Sequence, residues 1–148
     1  MKKLYSDVFY VGGYKWRILI FPKGNNVDHL SMYLDVADSS TLPYGWSRYA
    51  QFSLSIVNQI HSKYSVRKET QHQFNARESD WGFTSFMPLG ELYDPARGYL
   101  VNDSCIVEAD VVVAYARPLP LKHACSIEFE DQDQDQVIFI IIYFIKII

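Results

Sequence analysis

A chain of 148 residues with 49% hydrophobic and 21% charged side chains has enough material for one full core, not for two comfortable ones. A formal net charge of −3 argues against the basic surface that non-specific nucleic-acid binding needs, so no nucleic-acid partner is expected. The two cysteines, Cys105 and Cys125, form no CxxC pair and no zinc-like spacing, which favours free thiols in a reducing compartment, cytoplasmic or nuclear. Met1-Lys2-Lys3 is followed by Leu4-Tyr5-Ser6-Asp7, which lacks the apolar run of a secretory signal.

Aromatic residues make up 16% of the chain, an enrichment that suits strands. Leu4 to Tyr10 reads as a first strand, closed by a turn at Val11-Gly12-Gly13. Next, Tyr14, Trp16, Ile18 and Ile20 alternate on one face of a second strand, which Pro22-Lys23-Gly24-Asn25-Asn26 ends with turn chemistry. Leu30, Met32, Leu34 and Val36 alternate with Ser31, Tyr33 and Asp35, the pattern of a half-buried strand. A loop over Asp38 to Gly45 leads to the clearest alternation, with Ala50, Phe52, Leu54 and Ile56 facing the core and Gln51, Ser53 and Ser55 facing solvent.

Val66 to Phe74 is polar enough for an exposed or edge strand. Glu78 to Phe86 then gathers two acids, a Trp, a Gly and two Phe, and Met87 to Leu92 reads as a short helix. Asp94 to Gly98 is a turn, Tyr99 to Val101 a brief strand, and Ile106 to Tyr115 the last strong strand, with Val107, Ala109, Val111 and Val113 on one face. Arg117-Pro118-Leu119-Pro120 breaks it. Glu128 to Gln136 is acidic, low in complexity and expected to be disordered. The apolar run from Val137 to Ile148 is shorter than the roughly 20 residues a spanning helix needs, so an extra strand or an unrelated tail is favoured over a membrane-associated end. The pattern predicts an all-β fold, an antiparallel β-sandwich of seven or eight strands with one short helix and an irregular tail.

No positive signal for catalysis emerges. His29, His61, His72 and His123 form no metal-ligand pair and read as surface or sheet residues, and Gly12-Gly13 lacks the spacing of a phosphate loop. No cofactor or metal is therefore expected. Cys105 begins a buried strand and reads as inert packing. What remains is recognition. Asp80, Trp81 and Gly82 offer an acceptor, an apolar shelf and close main-chain access, as a groove for an added strand requires. The same stretch also fits a turn that anchors its aromatics in the core.

Tyr14 to Gly24, Trp46 to Phe52, and Asp80-Trp81-Gly82-Phe83 together resemble the MATH (meprin and TRAF homology) domain, and most closely the N-terminal MATH domain of plant ubiquitin-specific proteases. The likeness runs from about Lys3 to Tyr115, which sets a domain at residues 1–116 and a divergent tail at 117–148. It implies an eight-stranded antiparallel sandwich that captures short peptide motifs of the small/acidic-x-x-Ser type in protein partners.

Carried over residue by residue, Asp80 would hold the peptide Ser hydroxyl, Trp81 would pack on the first motif residue, and Gly82 would pair with the peptide main chain. Phe83 completes that motif. Lys23 stands where relatives have Arg, keeping the charge without the bidentate fork, and Tyr33 where they have a groove-lining aromatic. Thr84 and Ser85 replace a Ser-Asn pair, which removes one hydrogen-bonding amide. The Cys and His boxes of those proteases are absent from the sequence, so the expectation is a non-catalytic module. The alternative is a structural adaptor that self-associates through the same fold, disfavoured by the lack of a preceding heptad segment.

Overall fold

The computed structural model describes residues 2–113 and 137–146. Strands β1 (Leu4–Tyr5), β2 (Phe9–Val11), β3 (Tyr14–Phe21), β4 (His29–Val36) and β7 (Asp80–Pro88) form one antiparallel sheet in the order β1-β3-β4-β7, with β2 also paired to β3. Strands β5 (Ser47–Ile56), β6 (Val66–Asn75), β8 (Ser104–Val113) and β9 (Val137–Lys146) form the second, in the order β6-β5-β8-β9. The fold is an all-β sandwich. Its one α-helix among the described residues is α1 (Leu89–Leu92), a single turn after β7, and two 3-10 turns lie at Ser39–Thr41 and Ser62–Tyr64.

Alternation explains how the two sheets meet. Trp16, Ile18 and Ile20 on β3 stand opposite Val36, Leu34 and Met32 on β4, and all six are buried. Phe52, Leu54 and Ile56 on β5 stand opposite Val111, Ala109 and Val107 on β8 and close the core from the other side. Trp16 links the layers: its ring meets Phe74 of β6 edge-on at 5.2 Å, and its indole N–H donates to the Val11 carbonyl at 3.2 Å. That bond satisfies the polar atom of the largest buried side chain.

Several local expectations change. The first predicted strand splits into β1 and β2, because the main chain leaves the ladder at Ser6, whose hydroxyl accepts from the Ile18 N–H at 2.8 Å. The expected strand at Tyr99–Val101 is only an isolated bridge between Val101 and Ser104. Met87 and Pro88 finish β7 rather than opening the helix. Ser53 and Ser55, expected to face solvent, are buried. Both lie on β5, which is central in its sheet, so β6 and β8 shade its outer face; Ser53 Oγ donates to Asp110 Oδ2 at 3.2 Å. Ser31, Tyr33 and Asp35 on β4 are buried for the same reason, with β3 and β7 on either side.

The polar β6 does lie at a sheet margin. The apolar run near the C-terminus forms β9, paired along β8 from Ser104–Lys146 to Val113–Val137. The acidic stretch at 128–136, Cys125 and His123 lie outside the described residues.

Candidate functional site

The Trp81 stretch is a strand, not a turn. Among the described residues β7 is the last strand of its sheet: β4 pairs with one side, and no described strand pairs with the other. Across from it, β6 is the margin of the second sheet, so the two strands frame an open rim of the sandwich. Register decides what that rim offers. Val36 N–H donates to the Ser79 carbonyl at 3.0 Å, in the same register as Leu34 with Trp81 and Met32 with Phe83. Hydrogen-bonded and non-bonded pairs alternate in an antiparallel ladder. The main chains of Trp81 and Phe83 therefore face β4, while those of Asp80 and Gly82 face the open side.

Gly82 has a structural reason to be glycine. A Cβ there would lie 2.3 Å from the Met32 carbonyl oxygen and 2.7 Å from the Tyr33 Cα. The close approach comes from β4 inside the sheet, at a non-bonded pair where the strands run nearest.

Side chains alternate along β7 as the pleat requires. Trp81 is opposite Leu34 and leans over the rim, where its ring lies parallel to His72 of β6, with centroids 4.1 Å apart and planes within 3°. One indole face is thus covered, yet Trp81 remains 41% exposed. His72 is held from two further sides. Phe74 meets it edge-on at 4.7 Å, and Nε2 lies 3.2 Å from the Glu78 carbonyl. Phe83 is part-buried against the core, 5.8 Å from the ring of Phe86.

On the outer face, Asp80 stands opposite Asp35 and Gly82 opposite Tyr33. Burial raises the pKa of both carboxyls above the ordinary carboxylate range. His72 and Lys3 pull Asp80 back down, and Arg17, whose Nε lies 2.6 Å from Asp35 Oδ2, pulls Asp35 back. Tyr33 hydroxyl lies 2.7 Å from Thr84 Oγ1 and accepts from Asn25 Nδ2 at 3.2 Å. Ser31 Oγ donates to the Thr84 carbonyl at 2.6 Å, inside a β-bulge that turns the Ser85 carbonyl outward to accept from Lys68 Nζ at 3.2 Å.

The eight candidate residues fall in four places. Asp80, Gly82, Tyr33 and Thr84 share the outer face, and Trp81 and Phe83 point the other way. Ser85 lies in the bulge, and Lys23 is exposed in the turn between β3 and β4. Sequence reasoning missed Lys68 and His72. Their period-two spacing with Phe74 was the available signal, but only the fold brings that face of β6 to the rim of β7.

Elsewhere, a hollow of about 330 Å³ opens on the outer face of the second sheet between Gln51, Arg67 and Asp110. The Asp110 carboxylate there already accepts from Ser53 and lies 3.9 Å from Arg67. Burial pushes the Cys105 thiol up to about 12, consistent with inert packing. Among the described residues no group of His, Cys, Asp and Glu could hold a metal.

Two antiparallel sheets packed face to face place the chain in the class of all-β sandwiches. The MATH domain profile matches residues 1–111, and the chain belongs to that family. It is similar to ubiquitin C-terminal hydrolase 12 of Arabidopsis thaliana, at 83% identity over 112 residues, covering 76% of this chain and 10% of that protein. Ubiquitin C-terminal hydrolase 13 of the same plant is 80% identical over 112 residues, again with 10% of its length covered. A MATH domain and coiled-coil domain-containing protein of Arabidopsis thaliana is 52% identical over 114 residues, 38% of its length. The chain thus spans about a tenth of the hydrolases it matches.

Proposed function

We propose that the domain is a non-catalytic module that binds short extended segments of partner proteins by adding them as a strand along β7. The observation that carries this reading is the side of β7 that no described strand pairs, with the main chain of Gly82 turned toward it beside a Trp81 indole that is 41% exposed. Main-chain pairing would supply affinity, and the alternating surroundings would read alternate side chains. Side chains on one side of the added strand meet Trp81; those on the other meet Asp80 and Thr84, whose hydroxyl is held by the buried Tyr33.

Asp80 is the acceptor for a Ser hydroxyl in a small/acidic-x-x-Ser motif, and Lys23 and Ser85 frame the far end. The likeness to two ubiquitin hydrolases supports a role in choosing partners for the ubiquitin pathway. The sparse cysteines, with no CxxC spacing, support a reducing compartment, cytoplasm or nucleus. Affinity is expected to be about micromolar or weaker, because a short segment must be ordered on binding.

The test is fluorescence polarisation with a labelled peptide carrying Glu-Gly-Gly-Ser in a neutral sequence. Trp81→Ala should weaken binding by about tenfold or more and leave the circular dichroism spectrum of a folded sandwich. A folded Trp81→Ala variant that binds as well as the unaltered domain would end the proposal.

A further inference from the structure

We infer that Lys68 is the carboxylate-reading residue of the β7 edge, so that the partner segment carries an acidic side chain on the same side as the residue packed over Trp81. This rests on the strand-addition reading and deepens it. Lys68, His72 and Phe74 share one face of β6, the face turned toward β7. Phe74 enters the core and His72 backs the indole, while Lys68 reaches out at the far end of the same rim. Its Nζ donates to the Ser85 carbonyl at 3.2 Å and sits 5.2 Å from the Phe86 ring.

Three features make this lysine a reader rather than a brace. First, no carboxylate of the described residues lies within ion-pair distance of Lys68. Arg67 and Glu69 beside it project to the opposite face and pair with each other at 3.2 Å. Second, its present acceptor is a neutral main-chain oxygen on a sheet margin, which is the kind of group an added strand would take for its own N–H. An ammonium has three donors and binds a carboxylate more strongly than an amide carbonyl. Exchange of Ser85 O for a partner carboxylate therefore gains a charge-assisted bond and frees the carbonyl for main-chain pairing. Third, the rim is electrically polar. Glu78 and Asp80 lie at its Trp81 end and Lys68 at the other, so a bound segment is oriented by its own charge order.

The experiment walks a single Glu through each position of a ten-residue fluorescein-labelled peptide containing one Ser, with polarisation read for the unaltered domain, Lys68→Gln and Lys68→Glu. For the unaltered domain, Glu should tighten binding about fivefold at one position, or at two positions of equal parity. That gain should vanish in Lys68→Gln and reappear in Lys68→Glu when the favoured Glu is replaced by Lys. Melting temperatures should stay unchanged, because the side chain lies at the rim.

Equal affinity across the walk, or the same position dependence in Lys68→Gln, overturns the assignment while leaving strand addition intact. A panel that fails to separate the unaltered domain from Trp81→Ala overturns both.

Discussion

Asp80 and Asp35 face each other directly across β7 and β4, and for each burial is the largest influence, raising the pKa in the folded state. A carboxyl whose folded pKa is raised holds its proton longer when folded than unfolded. Stability therefore falls as pH rises from the ordinary value of 3.8 through the raised one, and is flat above it. Asp80→Asn removes one of the two charges, so it should stabilise the domain at pH 7 by about 0.5 kcal/mol or less after solvent screening. The difference should shrink toward pH 4, as thermal melts across that range would show, while binding of a Ser-containing peptide weakens.

Arg48 presents the opposite case, a cation enclosed by aromatics. Its guanidinium carbon lies 4.0 Å from the Tyr14 ring centroid, 5.4 Å from that of Trp46 and 5.8 Å from that of Trp16, with Asp38 Oδ1 3.8 Å from Nη1. Burial lowers its pKa and Asp38 opposes that shift. Arg48→Ala should cost about 2 kcal/mol in urea unfolding, through lost cation–π packing and a stranded Asp38. Arg48→Met, which keeps the packing, should recover part of it.

At the scale of the element, β7 does two jobs that compete. It pairs with β4 along one side, and the proposed strand addition requires the other side to stay open. Gly82 reconciles them, since the β4 main chain occupies the space of a Cβ. Gly82→Ala should push β7 away from β4 and destabilise the domain by about 2 kcal/mol, with faster amide exchange along β7. Gly90 in α1 is the control, because nothing lies within 4 Å of a Cβ there. Gly90→Ala should be neutral or stabilise by up to about 1 kcal/mol.

For the whole molecule, the decisive arrangement is which strands end each sheet. β6 and β7 are adjacent margins at one rim, and this makes the candidate site. β9 lies at the far margin of the second sheet, paired along the whole of β8. Without it β8 becomes a long edge whose inner row, Cys105, Val107, Ala109, Val111 and Val113, is entirely buried at present. A chain ending after Val113 should melt at lower temperature and associate as its concentration rises, measurable by calorimetry and sedimentation.

Period-two alternation of apolar residues determined most of the strands, since a pleated ribbon sorts neighbours onto opposite faces whatever surrounds it. Trp16, Phe52 and Val111 were legible as core for that reason. The Asp80-Trp81-Gly82 triplet stood out as a candidate site through its residue types, and through the family likeness its neighbours carry. Alternation says nothing about which strand stands beside which. Only the tertiary structure decided that β4 and β5 are central, which buries Asp35 and Ser53, and that β7 is terminal, which leaves Gly82 open. It also brought Lys68 and His72 to the rim from a segment that ends five residues before β7 begins. Long-range sheet order depends on how two faces pack, and that information lies in no single stretch of the chain.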